Sequence, residues 1–497
     1  MRRIFNLLIL TLISVLISNC SPTLLLTKKG QQLNQLQKQI QFLLDDPTLA
    51  NAHVGIYVES LKDGKILFSQ NPFKLMVPAS NMKLFTTAAA LVKLGPEWVF
   101  KTKVSYRGTI QDSVLEGDLI VSGSGDPTIS GRFFKGNRLA VFKMWADSLK
   151  EKGIRQIKGK IIGDESYFSG PALGDGWNWD DEPYWYSAKI SALALNDNCV
   201  DIAVWPDSLP GRPVHVQMFP SSAQVQIVNK ALTAQLSFDS MAEITRLHGT
   251  NKIVVQGNLA LDADTLWESI SVPEPGLFFV EQLKKTFEQN GIDVSAIQVI
   301  VASEKPAFQD SLKLLFTHQS PPLAEIIKVV NKPSHNFYAE QLLKTLGAIF
   351  KGEGSFERGA QVVHEFLNSI GVADEHFINV DGSGLSRKNF IAPMATATLL
   401  RYMYHHPYFN YFLESLPVAG IDGTLKNRMR GTPAQGQVHA KTGYVQHMRA
   451  LSGYTGLESK TPLLFVMMFN NYSVPTPKIN LIQDKIAILL TRFSESH

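Results

Sequence analysis

The chain has 497 residues, 44% of them hydrophobic and 19% charged, with a formal net charge of +4. That length points to two or three structural units, and the composition excludes a disordered chain. No long Lys/Arg block accompanies the mild basicity, so nucleic acid is not an expected partner.

The first twenty residues, MRRIFNLLILTLISVLISNC, carry Arg2 and Arg3, an apolar run to Ile17 and then Cys20. The run is too short for a membrane span and suits an export signal. ISNC resembles a bacterial lipobox, which implies cleavage before Cys20 and lipidation of its thiol; Asn19 departs from the small residue usual there. Cys199 is the other cysteine, so the exported chain is not expected to rely on disulfides.

Residues 21 to about 50 read as a tether leading into an amphipathic helix, with Leu33, Leu36, Ile40, Leu43 and Leu44 at helical spacing. AHVGIYVESLKDGKILFSQNP reads as a hairpin around a KDG turn. A helix follows from Ser80, with Leu84, Phe85, Ala88, Leu91 and Val92 facing a core, and stops at Gly95-Pro96. From about 100 to 305 short strands alternate with Gly, Asp and Pro turns, with a helix near 138–152. After 305 helices return, two of them separated by Lys332-Pro333. Near the end GQVHAKTGYV, ALSGYTG and TPLLFVMMFNNY read as successive strands before a closing helix. The simplest organisation is one α/β domain, 21–100 and 306–497, interrupted by a β-rich insertion, 101–305, expected to hold two nested subdomains.

Three short patterns carry the chemistry: Ser80-Asn81-Met82-Lys83, Ser334-His335-Asn336 and Lys441-Thr442-Gly443. Ser80 and Lys83 alone also fit a helix cap and a surface charge. The trio in this order is the signature of penicillin-binding proteins and class A β-lactamases. At a helix start, free N–H groups favour developing negative charge on Ser80. Lys83, one turn on, shares its face and must be neutral part of the time to accept the serine proton. Lys441 can supply the cation that depresses it. Ser334 can pass a proton to the leaving amine, and Asn336 can hold substrate and Lys83. Lys441 and Thr442 can meet a terminal carboxylate. Gly443 permits close approach, and the N–H groups of Ser80 and Tyr444 can form an oxyanion hole.

On these motifs and on GSGDPTIS, YSAKISALALNDN, NKPSHNFYAEQLLKTLG, DGSGLSRKN and LPVAGIDGTLKNRM, the chain resembles the class C low-molecular-mass penicillin-binding proteins, the D-alanyl-D-alanine carboxypeptidase/endopeptidase family. The resemblance covers nearly everything after residue 40 and includes a large insertion between the first two motifs. It implies an α/β (α+β) penicillin-binding, β-lactamase-like transpeptidase fold, an antiparallel sheet flanked by helices. It also implies an exported serine DD-peptidase of the cell envelope that acts on peptidoglycan stem peptides, is acylated by β-lactams and needs no metal or organic cofactor. His335 departs from the family's usual Asp or Asn. By resemblance, Asp164 in GDESYF would bind the side-chain amino group of the peptidoglycan diamino acid, and Arg387 in DGSGLSR its carboxylate.

Other residues take plainer readings. GWNWDDEPYWY reads as a structured loop partly lining the cleft, His405 and His406 as a helix end, His439 and His447 as strand residues. GSGDP lacks the Lys-Ser/Thr ending of a phosphate loop. A β-lactamase or esterase on the same fold, or a non-catalytic wall-binding lipoprotein, remain the rival readings; the long insertion and the intact trio argue against them.

Overall fold

The computed structural model describes residues 28–300 and 311–496. The expected signal segment and Cys20 lie outside the described residues. Among those described, no helix is long and apolar enough to cross a membrane.

Helix α1 (Lys28–Leu44) leads into strands β1 (His53–Ser60) and β2 (Ile66–Gln70), the expected hairpin. A single 3-10 turn at Ala79–Asn81 runs into α2 (Met82–Leu94), which ends at Gly95. Strands β3 (Lys101–Gln111), β4 (Val114–Ser122) and β5 (Gln156–Asp164) follow, with α3 (Ala140–Glu151) between the last two. Beyond a run of short strands come α4 (Pro275–Gln289), β6 (Asp293–Ile300) and β7 (Lys313–Gln319). Helices α5 (Leu323–Asn331), α6 (Asn336–Lys351), α7 (Phe356–Ser369), α8 (Pro393–His405) and α9 (Phe409–Ser415) come next. Strands β8 (His439–Val445), β9 (Met448–Thr455) and β10 (Leu463–Asn470) and helix α10 (Thr476–Glu495) complete the chain.

The two ends of the sequence build one five-stranded sheet, in the order β8-β9-β10-β1-β2, with every neighbouring pair antiparallel. Strand β10, LLFVMMFN, is buried along its whole length because helices cover both faces of the sheet. Its side chains alternate as a strand requires. Leu464, Val466 and Met468 join the core shared with α2, α5, α6, α7 and α8. Leu463, Phe465, Met467 and Phe469 join the core shared with α1 and α10. The five apolar residues of α1 picked out by spacing all pack there.

Between the two halves lies a second five-stranded sheet, ordered β6-β5-β4-β3-β7. Its strands are parallel across β6, β5 and β4 and antiparallel across β4, β3 and β7. Helices α3 and α4 cover it through Phe142, Trp145, Leu149, Phe279, Leu283 and Phe287, in a core of its own. Strand β7 lies past residue 305, where the β-rich texture of the sequence ends, yet it pairs with β3. The two chain crossings therefore sit side by side, with Ser320 N donating to Phe100 O at 3.1 Å and Phe100 N to Ser320 Oγ at 2.9 Å.

Candidate active site

The site forms where the start of α2, the α5–α6 turn and β8 converge. The segment leading to Ser80 is pinned to β10. Val77 N donates to Asn470 Oδ1 at 2.7 Å, and Asn470 Nδ2 donates back to Val77 O at 3.1 Å. Ala79 is held at φ +47°, a left-handed conformation that a non-glycine residue adopts only under constraint. The same is true of Ser334, at φ +65°. Asn81, which the sequence reading passed over, joins helix to strand: its Nδ2 donates to Lys441 O at 2.8 Å and its Oδ1 accepts from Ser452 Oγ at 2.7 Å.

Lys83 is fully buried. Its Nζ lies 3.0 Å from Ser80 Oγ, 2.7 Å from Asn336 Oδ1 and 2.7 Å from Ser383 O. Burial penalises the ammonium and pulls the pKa down to about 7, against the opposing pull of Glu340 and Asp381. An amine there is available as a base near neutral pH, while its contacts hold it against the serine oxygen. Glu340 and Asp381, which sequence reasoning also missed, shape this wall. Glu340 accepts from Gly382 N and Ser383 N at 2.7 and 2.8 Å. Asp381 accepts from Gly384 N, Ser386 N and Trp177 Nε1 at 2.8, 2.7 and 3.0 Å. Burial and the neighbouring Asp381 push the Glu340 carboxyl well above its ordinary range. Together they hold the DGSG turn so that Ser383 O faces Lys83.

Lys441 is also buried, and its Nζ donates to Ser334 Oγ at 2.8 Å. Its pKa falls well below the ordinary lysine value, through burial and then through Lys83 and Arg449. Asn336 is the first residue of α6 rather than part of the loop before it. Its Nδ2 donates to Tyr186 O at 2.8 Å, so the aromatic loop after Gly174 orients a motif residue. Thr442 Oγ1 donates to Thr424 Oγ1 at 2.7 Å. At Gly443 an added Cβ would lie 2.6 Å from Pro78 O and 3.3 Å from Ala79 Cβ. Only glycine lets β8 approach the Ser80 turn this closely. The half-exposed Tyr444 ring carries the Arg449 guanidinium at 5.7 Å.

The three motifs thus converge. Asp164, at the end of β5, accepts from Ser166 N at 3.0 Å. It lines a cavity of about 570 Å³ walled by Lys103, Ser105, Tyr167 and Leu314. Arg387 is exposed in the segment after the DGSG turn. Among the described residues no hydrogen bond or ion pair joins Asp164 to Arg387, or either to the Ser80 cluster. The inserted block does reach that segment, through Trp177 and through Lys388 Nζ, which lies 2.6 Å from Asp175 Oδ1. Cys199 is a buried free thiol, and His406 accepts from Tyr408 N at 3.1 Å at the helix end expected of it. Among the described residues no group of three His, Cys, Asp or Glu side chains is placed to hold a metal.

The chain is 34% identical to a D-alanyl-D-alanine carboxypeptidase of Actinomadura sp. (strain R39), covering 99% of this chain and 91% of that protein. It is 28% identical to the D-alanyl-D-alanine carboxypeptidase DacB of Haemophilus influenzae, covering 85% and 86%. The crystal structure of penicillin binding protein 4 (dacB) from Haemophilus influenzae superposes with a TM-score of 0.78 at 26% identity, covering 91% of this chain and 99% of that one. The same protein complexed with a novel β-lactam superposes with a TM-score of 0.73 at 25% identity, covering 92% and 99%. A predatory endopeptidase of Bdellovibrio bacteriovorus, Bd0816, shares the fold at a TM-score of 0.51 and 16% identity, covering 90% and 94%. The sheet flanked by helices is therefore the penicillin-binding-protein fold, and, with residues 36–493 matching the family, the chain belongs to the D-Ala-D-Ala carboxypeptidase 3 (S13) family.

Proposed function

We propose that this protein is an exported serine DD-peptidase that cleaves the terminal D-Ala-D-Ala bond of peptidoglycan stem peptides through an acyl-enzyme on Ser80. The observation that carries this reading is the buried Lys83 amine, 3.0 Å from Ser80 Oγ with its pKa drawn down to about 7. Neutral Lys83 takes the Ser80 proton as Oγ adds to the carbonyl carbon of the penultimate D-alanine. The backbone N–H groups of Ser80 and Tyr444 receive the oxyanion. Collapse breaks the C–N bond. The departing amine takes the Ser334 hydroxyl proton, which the Lys83 ammonium replaces. Lys441 and Thr442 hold the free carboxylate of the leaving D-alanine, and Asn336 holds the stem-peptide backbone. Water, deprotonated by the same lysine, then hydrolyses the ester and frees Ser80.

Finer features belong to the same reading. Asp164 and Arg387 select stem peptides whose diamino acid ends in a free amino and carboxylate group, and cross-links made through that group are a second, endopeptidase substrate. β-Lactams acylate Ser80, as the relative complexed with a β-lactam supports. Residues 1–20 direct export to the periplasm or cell envelope, and acylation of Cys20 anchors the chain there. The catalytic unit is built from residues 21–100 and from the chain after Gln319. The inserted unit is 101–319, its end moved from 305 because β7 pairs with β3.

Intact-mass analysis after incubation with penicillin tests the core of this proposal. One covalent adduct is expected, on the peptide containing Ser80, and none in Ser80→Ala; an adduct surviving that substitution overturns it. Turnover of a D-Ala-D-Ala peptide exceeding turnover of a cephalosporin separates a peptidase from a β-lactamase.

A further inference from the structure

On the face of the catalytic sheet turned away from Ser80, helices α1 and α10 enclose a groove of about 690 Å³. Phe42, Leu43, Ile488 and Leu489 line it with apolar surface, together with neutral amide side chains of α1. Phe42 is 79% exposed, and Leu481, four residues before Lys485 on α10, is 54% exposed. A packed enzyme has no internal use for an open phenylalanine at that position, since the buried residues of α1, Leu36, Ile40 and Leu44, already close the core beneath it. The charged residues that line the groove are Lys38, Lys485 and Arg492, with no carboxylate among the lining residues. Asp46 attracts Lys485 from outside it.

We propose that this groove is the face by which the protein lies on an anionic phospholipid bilayer. Apolar side chains between basic ones are the pattern by which a helix surface sits in the headgroup region, with rings and methyl groups among the upper acyl carbons and cations at the phosphates. Position along the chain agrees. Cys20 precedes Lys28, where α1 begins, by eight residues, a reach of roughly 28 Å when fully extended. A chain acylated at Cys20 therefore holds α1 within that distance of the bilayer, and this tether argument alone rests on the acylation proposed above. One acyl attachment gives weaker and less directed adhesion than an attachment joined by a basic, apolar patch. The catalytic sheet lies between the groove and the helical layer that contains α2. Docking this way turns the Ser80 side of the molecule from the lipid toward the cell wall.

The test uses the intact exported protein, mixed with vesicles of phosphatidylcholine containing about one-third phosphatidylglycerol, part of it carrying a photoactivatable group. Label sites are mapped by mass spectrometry, and the intact mass reads whether Cys20 is acylated. Label is expected in the peptides spanning 31–43 and 481–492, and about fivefold less for each basic charge removed. The triple variant Phe42→Ser, Lys485→Glu, Arg492→Glu should lose at least tenfold of that label while Ser80 still takes up penicillin. Label confined to residues before 28, equal label in the triple variant, or equal label in vesicles of phosphatidylcholine alone overturns the proposal. So does a stable dimer, seen by sedimentation with and without vesicles, whose contact covers α1 and α10. A chain without acylation that still labels on both helices leaves the groove standing and removes only the Cys20 reading; an acylated chain without that label does the reverse.

Discussion

His335 Nε2 lies 3.2 Å from Asp197 Oδ2 and 2.8 Å from Arg132 Nη2, so a residue of the second catalytic motif is braced by two residues of the inserted block. Asp197 also holds Arg132, at 2.7 Å. Burial pulls the His335 pKa down, against the opposing pull of Asp197. Burial alone would raise Asp197, but His335 and Arg132 outweigh it and hold its carboxyl well below the usual carboxylate range. The brace sits directly beside Ser334, whose positive φ needs support from its surroundings.

Asp197→Asn is expected to leave Arg132 and the His335 turn without their counter-charge. Penicillin acylation should slow about tenfold, and stability should fall by about 1–2 kcal/mol. His335→Asn, which still presents an acceptor to Arg132, should retain most of the acylation rate. Stopped-flow acylation and thermal unfolding measure both. Equal losses in the two variants would remove the brace from the positioning of Ser334.

The acylation rate should follow the titration of Lys83. Burial lowers its pKa from the ordinary lysine value of 10.5 to about 7, so the neutral, proton-accepting form is scarce below that pH and dominant above it. The acylation constant should therefore rise about tenfold per pH unit below 7 and level off above it. Lys83→Arg, which keeps its proton throughout, should abolish this limb along with activity. A flat profile between pH 5 and 9 in the native enzyme would remove Lys83 as the base.

Gly443→Ala would place a Cβ 2.6 Å from Pro78 O. Strand β8 must then move away from the Ser80 turn by several tenths of an ångström. Acylation should fall by about ten- to a hundredfold, because reacting groups displaced by a sizeable part of an ångström lose much of their advantage. The fold should persist, since β8 keeps its ladder with β9. Near-native acylation would show that the close approach has no part in the chemistry.

Substrate selection by Asp164 and Arg387 predicts a substrate-dependent defect. A charge-assisted hydrogen bond contributes about 1.5–3 kcal/mol, so Asp164→Ala or Arg387→Ala should lower kcat/KM about ten- to a hundredfold for a peptide with the zwitterionic side chain. A minimal D-Ala-D-Ala peptide and penicillin should be almost unaffected. Equal losses on both peptides would assign these residues to the fold.

The sequence by itself determined what depends on neighbours along the chain. Spacing of three put Ser80 and Lys83 on one helical turn, helical periodicity marked the buried face of α1, and the KDG turn set the first hairpin. The three motifs, each a short run, were legible for the same reason. Tertiary structure alone decided how they act together. Lys83 meets Asn336 across 253 residues, and Asn81 meets Lys441 across 360. The Glu340–Asp381 pair, the Tyr186 carbonyl behind Asn336, the Asp197 brace and the pairing of β7 with β3 carry no local signature. Each is made by chain segments that become neighbours only on folding. The depressed pKa of Lys83 belongs with them, because it comes from burial, and burial is a property of the packed chain rather than of any segment of it.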